Sequence, residues 1–118
     1  MTRYIEHHFP IGSLSQLAEH ESWRKEIHRP VYYIHKWWAR RLGSVFRAII
    51  LGACLSEDED LFDNYYAQRT FDHITIFDPF MGSGVTVGEA AKLGCQAIGR
   101  DINPVAATIV QTSLSRYD

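Results

Sequence analysis

The sequence predicts an α/β chain in which N-terminal helices lead into a β-α-β-α unit with two parallel strands. Three observations carry this. His73-Ile74-Thr75-Ile76-Phe77 is a β-branched and aromatic run that stops at Asp78, the mark of a short strand. Gly82-Ser83-Gly84 follows, and Val85 to Leu93 then recur at helical spacing up to Gly94, a C-cap residue. Cys95 to Gly99 is a second short apolar run ending near Asp101. A strand, a helix and a strand joined by such short connections pair in parallel through a right-handed crossover.

The elements on either side follow from their own signals. Ser13 is a candidate N-cap, and Leu14, Leu17, Ala18, Glu21, Trp23 and Ile27 predict a helix over 14–27. Arg29-Pro30 ends it, because proline disfavours helical backbone at the residue before it. Val31-Tyr32-Tyr33-Ile34 reads as an extended connector. A second helix is predicted over 37–55, with Trp38, Leu42, Val45, Phe46, Ile49 and Ile50 on its core face. Ser56 and the acids Glu57 to Asp60 suit a helix start, where negative charge favours the dipole, and predict a short helix to about Gln68. Its buried side would be Leu61, Phe62, Tyr65 and Tyr66. After the second strand, Asn103 as N-cap and Pro104 at the first helical position open a last helix.

The bulk properties bound the function classes. With 118 residues, 46% hydrophobic and 22% charged, the chain is one domain's worth of globular sequence. No stretch approaches the ~18 apolar residues of a membrane span. Met1 to His8 lacks the apolar run of a secretory signal, so a cytoplasmic location is expected. Cys54 and Cys95 are far apart, form no Cys-x-x-Cys pair and read as free, buried thiols. Net charge is −2, divided as +4 over residues 1–55 and −6 over residues 56–118. The basic surplus fits phosphate contacts and an ordinary solvated face alike. His7-His8 has no partner at ligand spacing, so no metal site is expected.

The glycine loop carries the chemistry. Gly82 and Gly84 remove side chains where the first strand gives way to a helix, the edge at which open α/β sheets bind ligands. The first-turn N–H groups of Val85, Thr86 and Val87 make that spot receptive to an acceptor. Asp101, 17 residues beyond Gly84 at the end of the second strand, stands where a carboxylate accepts hydrogen bonds from ribose hydroxyls. The next glycine, Gly88, falls four residues after Gly84, which departs from the dinucleotide fingerprint, and no Gly-Lys-Ser/Thr makes a Walker-type loop.

Phe77-Asp78-Pro79-Phe80-Met81-Gly82-Ser83-Gly84-Val85-Thr86, followed by Glu89-Ala90 and by Ile98-Gly99-Arg100-Asp101-Ile102-Asn103-Pro104, closely resembles the S-adenosylmethionine site of DNA amino-methyltransferases. These enzymes methylate the exocyclic nitrogen of adenine or cytosine, many of them in restriction–modification. The resemblance implies a partial Rossmann-like class I methyltransferase fold, with residues 73–118 as its first βαβα unit and residues 1–72 as a helical segment in front. It implies S-adenosylmethionine as cofactor and DNA as partner. Asp78, Pro79, Phe80, Gly82, Ser83 and Gly84 would wrap the methionine end and Asp101 would hold the ribose, with Thr86 and Asn103 as further candidate cofactor-binding residues.

Pro30 to Arg41 is dense in aromatics and cations, a mixture that stacks bases, covers a cofactor or packs a helix with snorkelling stems. Trp38 reads as core. His35-Lys36-Trp37-Trp38-Ala39-Arg40 resembles the family's segment that closes over the methionine part of the cofactor, which makes His35, Lys36 and Trp37 candidate site residues. With Glu21 to Glu26 it also resembles the N-terminus of large bacterial and archaeal DNA methylases that carry a domain of unknown function here.

One part of the family's chemistry is missing. The Asp/Asn/Ser-Pro-Pro-Tyr/Phe loop that accepts hydrogen bonds from the target amine and stacks on a flipped base has no counterpart, since the sequence has no Pro-Pro. No catalytic residue is therefore assigned. A second chain, or further sequence carrying that loop, is the expected partner, and the 118 residues alone are expected to be inactive. The competing expectations are a catalytically inert remnant or regulatory, DNA-binding module that pairs with a complete methylase, and an RNA or small-molecule methyltransferase.

Overall fold

The computed structural model describes residues 1–23, 37 and 39–115. In chain order the elements are α1 (Tyr4–His7), α2 (Ile11–Trp23), α3 (Gly43–Cys54), α4 (Leu61–Tyr65), β1 (Thr75–Asp78), α5 (Val85–Lys92), β2 (Gln96–Gly99) and α6 (Pro104–Leu114). The fold is mixed α/β. β1 and β2 pair in parallel with Thr75 opposite Gln96, Ile76 opposite Ala97, Phe77 opposite Ile98 and Asp78 opposite Gly99. The predicted βαβα unit is therefore present, with each boundary within a residue or two of its expected place.

Alternation along the strands divides the sheet into two unlike faces. Ile74, Ile76 and Ala97 pack on the main core, whereas Phe77 and Ile98 are 56% and 53% exposed on the other side. The main core joins Tyr4, Leu14, Ala48, Ile50, Leu51, Cys54, Leu55, Leu61, Tyr65 and Phe71 to Ala90, Leu93 and Cys95. A smaller cluster of Met81, Val87 and Val110 seats α6 behind the glycine loop.

α3 is the central helix, touching α1, α2, α4 and α5. Its position explains one departure from expectation. The buried residues are Ala48, Ile50, Leu51 and Cys54, while Val45, Phe46 and Ile49 are half-buried. A helix packed on several sides is apolar nearly all round, so periodicity alone does not select the deepest face. The helix also starts at Gly43 with Leu42 as N-cap, and Trp38 lies outside the described residues.

Three more expectations are corrected. α2 begins at Ile11, ahead of Ser13, because the Pro10 carbonyl already accepts from Leu14 N at 3.0 Å, and residues 24–27 of its predicted span lie outside the described residues. α4 covers only Leu61–Tyr65, and Phe62 and Tyr66 are exposed. Only residues 61 and 65, four apart, share the buried side, and a step of one residue turns a side chain about 100° away. The one-turn α1 was not expected. Its place is fixed by long-range bonds to the end of α3, Tyr4 N to Leu55 O at 3.0 Å and Arg3 Nη1 to Cys54 O at 2.9 Å. The connector over 31–34 lies outside the described residues, and among those described no helix is long and apolar enough to cross a membrane.

Candidate functional site

The site is built where β1 and β2 end side by side. Asp78 closes β1 and is only 5% exposed. Its Oδ1 accepts from Phe80 N at 3.0 Å, bending the chain through Pro79 into the loop. The parallel ladder continues past the strands, with Arg100 N on Asp78 O at 2.9 Å and Met81 N on Arg100 O at 3.0 Å. The start of the loop is therefore stitched to the residue just before Asp101.

The two glycines are needed for different reasons. Both have positive φ, +50° at Gly82 and +82° at Gly84, a region L side chains rarely adopt. At Gly84, the N-cap of α5, a Cβ would meet Val110 Cγ2 at 2.7 Å, so this glycine lets α6 close on the loop. At Gly82 a Cβ would meet nothing within 4 Å. The backbone there borders open space, as a loop that receives a ligand would.

Asp101 binds that loop directly. Its Oδ2 accepts from Gly82 N at 2.8 Å and its Oδ1 from Asn103 N at 2.8 Å. The Asn103 and Gly82 amides, in that order, hold the carboxyl below the usual aspartate range. Each oxygen has used one lone pair and keeps another, so the carboxylate can still accept from a ligand. Asn103 caps α6, its side chain accepting from Val105 N at 3.0 Å, as its position before Pro104 predicts.

Two clefts flank the exposed ring of Phe80. One, of about 430 Å³, is lined by Pro79, Phe80, Arg100, Asp101 and Ile102. The other, of about 310 Å³, lies between Ala39–Arg41 and Phe80–Ser83. Both fall in the size range of small-molecule sites.

Of the sequence-predicted residues, the structure brings together Asp78, Pro79, Phe80, Gly82, Ser83, Gly84, Thr86, Asp101 and Asn103. Thr86 is buried in the first turn of α5. Trp37 is half-buried, and His35 and Lys36 lie outside the described residues. Sequence reasoning missed Arg41. Its Nη1 pairs with Asp78 Oδ2 and donates to Thr86 Oγ1 at 2.8 Å, while Nη2 donates to Phe80 O at 2.9 Å. The available signal was weak: an aspartate at the end of a predicted strand, which if buried requires a cation or several donors nearby.

The family model described as a protein of unknown function, DUF1156, matches residues 8–73, and the model described as DNA methylase matches residues 67–112. The Type II methyltransferase M.MjaII of Methanocaldococcus jannaschii is 40% identical over 55 residues, covering 46% of this chain and 10% of that protein. The chain thus spans about a tenth of the length of the curated relative it matches. No solved structure matches it.

Proposed function

From the premise that this chain belongs to the DUF1156 family and carries a DNA amino-methyltransferase segment, we propose that its glycine loop and Asp101 hold S-adenosylmethionine for methylation of an exocyclic amine of adenine or cytosine in DNA. The observation that carries this reading is the Asp101–Gly82 contact at the ends of two paired parallel strands, beside open space at Gly82. It joins a carboxylate with spare lone pairs in one of the clefts beside Phe80 to a side-chain-free backbone in the other, the pairing an adenosine group needs. The βαβα unit is then the opening of a Rossmann-like class I methyltransferase sheet.

The chain's own residues would divide the work. Asp101 accepts from the ribose hydroxyls, and Asn103 holds Asp101 in place while capping α6. Asp78, Pro79, Phe80, Gly82, Ser83, Gly84 and Thr86 shape the cleft around the methionine end, with His35, Lys36 and Trp37 closing over it. The cofactor, when bound, supplies an electrophilic methyl group on a sulfonium. The sequence contains no Pro-Pro loop to receive the target amine, so that loop comes from a second chain or from further sequence. The compartment we read for it is the reducing cytoplasm, where thiols as close as Cys54 and Cys95 persist.

Calorimetric titration of S-adenosylmethionine into the chain, alone and together with a methylase partner carrying the Pro-Pro loop, tests this. The expected result is binding that Asp101→Ala weakens by about tenfold or more, the scale of a lost charge-assisted hydrogen bond pair. No binding in either setting, or binding indifferent to Asp101→Ala, overturns the reading.

A further inference from the structure

We propose that the segment of unknown function acts as a clamp on the glycine loop of the methylase segment, and that Arg41 is the positioning residue through which it does so. The consequence for cofactor binding rests on the function proposed above, whereas the clamp itself does not.

The root of Arg41 is firmly held. It lies two residues before α3, the central helix of the core. The start of that helix is pinned by Glu21, buried at 4% exposure, whose Oε2 accepts from Ser44 Oγ at 2.7 Å and from Ser44 N at 3.2 Å. Tyr65 Oη adds a bond to Ser44 O at 2.7 Å. The guanidinium itself lies over the Phe46 ring, 5.2 Å from its centroid.

The head of Arg41 reaches three successive parts of the loop: the carboxylate that ends β1, the carbonyl at the bend and the hydroxyl in the first turn of α5. A planar guanidinium with five donors serves such a set at once, which a single ammonium does not. The loop needs this kind of support because Met81 is its one apolar anchor, and packing hardly reaches the residues on either side. The Phe80 side chain is 77% exposed and Gly82 borders empty space. Beside that anchor, hydrogen bonds must fix the shape, from Arg100 and Asp101 on the β2 side and from Arg41 on the other.

Amide hydrogen exchange on the full chain, read residue by residue, tests the clamp without any ligand. The reporters are the bonded amides of Phe80, Gly82 and Gly84. In Arg41→Met they are expected to exchange about tenfold faster or more, as loss of charge-assisted bonds implies. Amides in the middle of α3 and in β2 should stay within about twofold of wild type, because their own bonds are untouched. Arg41→Lys should fall between the two, and Thr86→Val should reproduce a smaller part of the change. If Arg41→Met does not fold, the last two variants decide by the same pattern. Unchanged exchange at residues 80–84, or acceleration spread equally over α3 and β2, overturns the clamp. Titration with S-adenosylmethionine separates the two proposals. Loop loosening in a chain that binds no cofactor leaves the clamp standing and removes the function, and undiminished binding with unchanged exchange in Arg41→Met does the reverse.

Discussion

Gly82→Ala and Gly84→Ala are expected to fail in opposite ways, because the two glycines meet different surroundings. Both substitutions put a Cβ on left-handed backbone, with φ at +50° and +82°, which costs about 1–2 kcal/mol. At Gly82 that is the whole structural cost, since nothing lies within 4 Å of the new methyl. At Gly84 the methyl falls 2.7 Å from Val110 Cγ2 and 3.1 Å from Cγ1. Such overpacking costs about another 1–3 kcal/mol. Gly84→Ala should therefore lose about 2–5 kcal/mol, a large share of the ~5–15 kcal/mol that holds a small domain together. The assay is urea unfolding of wild type and both variants, read as shifts in midpoint at constant slope. Val110→Ala then supplies the internal control. Combined with Gly84→Ala it removes the colliding methyls, so the double variant should be more stable than the two single losses predict, by about 1–2 kcal/mol. In binding the order reverses. On the function proposed above, Gly82→Ala should keep its fold and lose binding of S-adenosylmethionine, because its methyl enters the open approach to the loop. Equal destabilisation by the two substitutions, or strictly additive losses in Gly84→Ala/Val110→Ala, would refute the reasoning.

Two further predictions concern the core. Glu89 is 1% exposed, with Lys92 Nζ at 3.3 Å and Arg47 Nη1 at 3.7 Å. Glu89→Ala should cost about 3 kcal/mol or more by leaving the Arg47 charge poorly compensated, and a loss below about 1 kcal/mol in urea unfolding would contradict that. Burial, reinforced by Cys95 3.9 Å away, pushes the Cys54 thiol up to about 12. The unfolded chain releases that proton near pH 8.5 while the folded chain retains it, so stability should fall as pH rises from there towards about 12. Unfolding midpoints at pH 7.5 and 10 in reductant, compared between wild type and Cys54→Ala, should show a steeper fall in wild type, and equal falls would count against a buried, protonated Cys54.

The parts of the molecule legible in the sequence were those set by short-range chemistry. Asn103-Pro104 marked a helix start, Gly94 its predecessor's end, and the β-branched and aromatic run at 73–77 and the short run at 95–99 their strands, because each signal acts within a few residues. The depth of burial around α3 was not legible. Which of its apolar residues lies deepest depends on helices that arrive from residues 4–7, 61–65 and 85–92. The site divided in the same way. The loop, Asp101 and Asn103 could be read from turn and cap chemistry within some 25 residues. Arg41 could not, since it reaches Asp78 across 37 positions and is one cation among the several of residues 24–41 until the fold selects it.

The family boundary near residue 70 is not a boundary of the fold. A two-stranded sheet is marginal by itself, and the covered face of this one packs against a core supplied largely by residues 4–71. The junction is bonded: Phe71 N donates to Leu93 O at 3.0 Å, and Gly94, at φ +76°, lies so close to Thr70 that a Cβ would come within 2.7 Å of its side chain. Cys54 and Cys95 meet across the same seam, as do Arg47 and Glu89. A methylase segment cut free at residue 73 would expose Ile74, Ile76, Leu93 and Cys95 and lose the guanidinium that braces its glycine loop. The helical segment therefore contributes both the core that makes the sheet possible and, through Arg41, the shape of the loop at its edge.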